Sequence, residues 1–179
     1  MAKLGQPIKQ LAGLLEGTEA TPVVVPSRLA PSAIYDVEYR TSVVALAFEA
    51  FARPFGITGQ RRISAAKLKL LQFVILRPWL LPAIREWSEG LAQGSLDLTY
   101  PVRIRRGFLS DTAHEDVVNL LIACGVFVRH GSHLLTGEKS SYLGEITKAL
   151  TEGGLFQNER QIISEMSNVK LTNNMLEGW

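Results

Sequence analysis

Apolar positions along this chain recur mostly at three- and four-residue spacing, which predicts a mainly helical protein with a small β element. The clearest stretch is SDTAHEDVVNLLIACGVFVRHGSHLLTG, residues 110–137. Val117, Leu120, Leu121 and Cys124 form one helical stripe. Thr112 and Glu115 have the T-x-x-E spacing of a capping box, which predicts that their side chains satisfy the first amides of that helix. Gly125 supplies a left-handed stop. VFVR, a polar HGSH turn and the apolar pair Leu134 and Leu135 then predict two short strands around a tight turn. A helix, a glycine stop and a β-turn-β flap outline a winged-helix module.

The flanks extend the helical pattern. Ile34 to Arg53 predicts a helix with Tyr39, Val43, Leu46, Ala47 and Ala50 on one stripe, ended by Pro54 and Gly56. After a loop, RPFGITGQRR, Ser64 is expected to cap AAKLKLLQFVILR, which stops at Pro78. Apolar almost all round beyond Lys69, this helix reads as a central buried element. Pro82 falls in the first turn of a third helix, with Leu80, Ile84, Trp87 and Leu91 on one face and Gly94 closing it. Leu96 to Ile104 alternates apolar and polar like a half-buried strand, and Pro101 assigns it to an edge. Ser140–Thr151 and Leu155–Val169 predict two further helices. Residues 1–17 could form a short helix around Ile8, Leu11 and Leu15; residues 18–32, with Pro22, Pro26 and Pro31, read as extended. The expected organisation is an N-terminal arm over 1–32, a winged-helix-like domain with an inserted helix and strand over 33–154, and a helical C-terminal extension with a docking tail over 155–179. The fold class is mainly α with a small β-wing.

Composition adds a partner to this picture. The chain has 179 residues, of which 46% are hydrophobic, and some of that apolar surface is expected to cover another protein. Cys124 is the single cysteine, so no intramolecular disulfide forms, which suits a cytoplasmic protein. The start, MAKLGQPIKQLAGLLEG, lacks the apolar core of a signal peptide. Leu70 to Leu81 is interrupted by Gln72, Arg77 and Pro78 and falls short of the ~20 residues of a spanning helix, so no membrane contact is expected. The net charge of +2 is unevenly placed: residues 53–106 hold ten bases against three acids, and residues 107–179 five bases against nine acids. Two different contact surfaces follow.

Candidate chemistry is sparse. Gly131 to Ser140, GSHLLTGEKS, only approaches a phosphate-binding loop, because five residues separate its glycines and Glu138 precedes Lys139. His114, Cys124, His130 and His133 could be drawn as a metal set, yet the thiol belongs to the apolar stripe and His114 to a first helical turn. No catalytic spacing is present, and neither an enzyme nor a cofactor is expected. DNA readout by the helix before the flap is disfavoured, since Asp111, Glu115 and Asp116 would meet phosphates and no Arg or Lys stands among them. Arg103, Arg105 and Arg106, with Arg61 and Arg62, form a basic stripe suited either to phosphate or to an acidic partner protein.

Three stretches resemble the small middle component of bacterial three-component ABC-ATPase defence operons, the group that includes Lamassu. KLKLLQFVILRP (67–78) is similar to that group's K-L-x-F-L-L-R-Y-P helix. RRGFLSD (105–111) is similar to its R-Y-G-P-x-D approach to the next helix, with Phe108-Leu109 in place of G-P. LLIACGVFVRHGSHLLTG (120–137) is similar to its L-x-x-x-G-L-I … L-T-x-x-G wing. The resemblance spans about residues 34–152 and implies a non-catalytic adaptor. Such a subunit bridges an SMC- or Rad50-like coiled-coil ATPase and an effector, commonly a nuclease, and meets DNA only indirectly or non-specifically. Val23, Val24 and Val25 near one end, with Met175, Leu176 and Trp179 near the other, are apolar segments suited to docking. The alternative expectation is a winged-helix DNA-binding regulator using the flap and the basic stripe.

Overall fold

The computed structural model describes residues 36–57, 59–92 and 107–171, together with Leu176. The expected N-terminal arm, the alternating segment Leu96–Ile104, the closing Gly94, and Arg103, Arg105, Arg106, Met175 and Trp179 lie outside these residues.

Helix α1 (Val37–Phe51) begins where the Asp36 carboxylate accepts from the Tyr39 amide at 2.9 Å. Its residues Ser42 to Phe48 are buried on every side, although Ala50, expected on the stripe, is exposed. Helices α2 (Ala65–Ile75), α4 (Ala113–Ala123), α5 (Ser141–Glu152) and α6 (Gln157–Met166) all pack against α1, which makes α1 the hub. Ala45 and Ala47 are fully buried there, where small side chains permit close helix approach. Helix α2 is also buried from Leu70 to Ile75, as its continuous apolar run predicts. A single 3₁₀ turn (Pro78–Leu80) leads from it into α3 (Leu81–Ala92). Ile162, Ile163 and Met166 of α6 join Val43, Leu71 and Val117 in one continuous core.

The RPFGITGQRR segment is not a loop. It forms a hairpin of β1 (Arg53–Phe55) and β2 (Gln60–Ser64), with Gly56 and Gly59 at positive φ around its tip. The predicted flap is present as β3 (Phe127–His130) and β4 (His133–Thr136), turning at Gly131 with φ 57°. The two hairpins join through β2 and β4 into one antiparallel sheet of order β1-β2-β4-β3, so the small β element has four strands rather than two. Arg62 pairs with Leu135, and Ile63 with Leu134. The inner face carries Ile63, Leu134 and Phe127 onto the helices, and the Phe127 ring lies 4.9 Å from that of Phe48.

Two expected caps differ. Thr112 already has helical backbone angles and its hydroxyl makes no cap bond, while the Glu115 carboxylate reaches Lys69 and Arg129, each at 3.5 Å. Ser64 likewise makes no side-chain cap, because it ends strand β2. Gly125 does adopt the left-handed turn, with φ 76°. Its amide bonds to Ile122 and that of Val126 to Leu121, closing α4 in a Schellman motif.

Candidate interaction surfaces

The acidic residues of the α4 region divide into three roles. Asp111 is buried and holds two arginines: its carboxylate meets Arg40 Nη1 at 3.0 Å and Arg77 Nη1 at 3.3 Å. Arg40 is 1% exposed, an ionised side chain set among apolar residues of α1. Burying such a charge is tolerable only with a close counter-charge. Arg77 also lies over the Phe73 ring, 4.2 Å from its centroid. Glu115 is drawn to Lys69 and Arg129, so of these three acids Asp116 is the one that points into solvent without an ion pair among the described residues. The repulsive face expected from three carboxylates is therefore largely neutralised from within. What α4 presents outward is Asp116, Asn119, Leu120 and Ala123.

Behind Asp111 lies a second buried polar pair. Gln72 Nε2 donates to the Arg40 carbonyl at 3.1 Å, leaving Oε1 to accept from His114 Nδ1 at 2.6 Å. This chain of bonds assigns the neutral ring its proton on Nδ1. Burial drives the His114 pKa down to about 4, against the opposing pull of Glu115. Neither Gln72 nor Arg40 was legible as part of a polar network, because their partners stand 42 and 71 positions away in sequence.

The basic residues also separate. The Arg61 guanidinium pairs with the Glu49 carboxylate and donates to the carbonyls of Phe48, Glu49 and Ala52. It is thus a C-terminal clamp on α1, its charge met by Glu49 within the chain. Arg62 is exposed on the opposite face of β2, its guanidinium 4.4 Å from the centroid of Phe55. Leu176, expected to dock a partner, is 6% exposed and belongs to the core of this chain. Val23, Val24 and Val25 lie outside the described residues.

His130 and His133 face each other across the β3–β4 pair, whereas His114 is bonded to Gln72 inside the core and Cys124 ends α4. Among the described residues, no three His, Cys, Asp or Glu side chains converge as a metal site. The glycines of GSHLLTGEKS have structural duties: a Cβ on Gly137 would collide with the Gly125 carbonyl oxygen, and the Gly137 amide donates to Val126 O at 2.8 Å. Among the described residues, no helix is long and apolar enough to cross a membrane.

Large apolar side chains do reach solvent. Trp79 is 63% exposed, Leu109 55% and Leu120 39%. Ile57 stands fully exposed at the tip of the β1–β2 hairpin. Compared with protein-family models, with curated proteins and with solved structures, the chain matches none.

Proposed function

We propose that this protein is a non-catalytic adaptor: a winged-helix-like subunit of a bacterial anti-phage defence complex that bridges an SMC- or Rad50-like ATPase and an effector, commonly a nuclease, in the cytoplasm. The observation that carries the proposal is the exposed set Trp79, Leu109 and Leu120, three large apolar side chains that reach solvent. Exposed apolar patches mark interaction sites, and Trp is among the residues that carry most of the binding energy at an interface. The resemblance of residues 67–78, 105–111 and 120–137 to the middle components supplies the identity of the partners. Base reading by α4 has less support, since that helix contains no Arg or Lys and turns Asp116 outward.

Co-expression with the products of the neighbouring genes, followed by size exclusion, tests the proposal. The chain should elute with both partners, and Trp79→Glu or Leu120→Glu should release at least one of them without lowering the melting temperature. Elution of the native chain as a monomer away from both would end it.

A further inference from the structure

The four strands contain Arg53, Arg61, Arg62, Arg129, His130 and His133, and no carboxylate. The two arginines on the helix-facing side are neutralised, Arg61 by Glu49 and Arg129 by Glu115. The outer face differs. Register places Arg53 directly opposite Arg62, then Leu135, then Val128, one row across all four strands, in which both arginines and Val128 are exposed while Leu135 is only 7% exposed. Like charges directly opposite in a sheet destabilise it. Yet neither Arg53 nor Arg62 has an ion pair among the described residues. Glu138 borders a cleft of about 500 Å³ with Gln60 and Val128, but bonds to neither arginine.

We propose that this outer sheet face seats the sugar–phosphate backbone of nucleic acid, with Arg53 and Arg62 contacting phosphates. The Phe55 ring holds the Arg62 guanidinium in place before any ligand arrives. An anion between the two opposed arginines relieves their repulsion and releases counterions from the nucleic acid. The polar residues of the same face, Gln60, Ser64, His130 and His133, suit backbone oxygens. A protein partner is the poorer fit, because the cores of protein interfaces are depleted of charge and this row centres on a like-charged pair. The face offers positioning without base readout, and the inference does not rest on the adaptor reading.

Fluorescence anisotropy of the full chain with a labelled random-sequence duplex of about 20 base pairs, over a salt series starting near ~50 mM, tests it. The native protein should bind, with affinity falling linearly on a log–log plot. Arg53→Gln with Arg62→Gln should lower affinity at least tenfold and the salt slope by roughly two units. Removing the opposed charges should leave the melting temperature equal or higher. Arg160→Gln, which removes an exposed charge from α6, should leave binding within about twofold if contacts at the sheet dominate. Absence of duplex binding by the native protein, an equal loss with Arg160→Gln, or equal competition by polyglutamate at matched charge would each overturn the proposal.

Discussion

Asp111 binds two arginines, Arg40 from α1 and Arg77 from the turn after α2, and its side chain is only 6% exposed. Asp111→Asn removes the negative charge from beside Arg40 in the core, and the expected cost is ~3–5 kcal/mol. Denaturant unfolding should show it; a loss under ~1 kcal/mol would contradict the assigned role. His114 gives a separate pH signature. Its folded pKa, about 4, lies below the usual 6.5, so the unfolded chain binds the extra proton first. The stability due to this group is complete above pH 6.5 and drains away as pH falls towards 4, by roughly 3 kcal/mol in all. His114→Gln should flatten that part of the pH–stability curve, and an unchanged slope between pH 6.5 and 4 would refute the assignment. Little of this was legible in the sequence. Asp111 reads as an acid facing any nucleic acid, and nothing in the sequence marks Arg40, because a bond spanning 71 positions leaves no local pattern.

At the scale of elements, periodicity located each of the helices α1 to α6, since each has an apolar face that must be buried. It failed on β1 and β2. Those strands are three and five residues long, carry arginines and contain Pro54, and their hydrogen-bonding edge is completed only by β4. Short polar strands are set by their partners rather than by their own alternation. The same hairpin brings Arg61 to the end of α1, so Arg61→Met should loosen that helix terminus. The expected loss is roughly 1–3 kcal/mol, with faster amide exchange over the last turn of α1 as the specific readout. Exchange rates there equal to those of the native protein would remove the clamp. Capping shows the converse limit: T-x-x-E at residues 112–115 is a valid spacing, but Lys69 and Arg129 outcompete the backbone for Glu115.

In the molecule as a whole, one core runs from α1 through the sheet to α6. Leu121→Asp places an ionised group where the native side chain is 2% exposed, and the domain should lose its cooperative melt by circular dichroism. A cooperative transition near the native temperature would show the core to be less continuous than its contacts imply. The helix-rich class and the β3–β4 flap were readable because their signals are local. The hub position of α1 was not, since it depends on which faces four other helices present to it.

The pairing of β2 with β4 also dictates an order of events during synthesis. Roughly seventy residues separate Arg62 from Leu135, so β2 leaves the ribosome long before its mate exists. Until then the arginine-bearing hairpin is an open edge, held among the described residues only by the helices that precede Phe127. Closure of the sheet is therefore the late, slow step, and a chain truncated before Phe127 should remain a substrate for chaperones rather than a folded half.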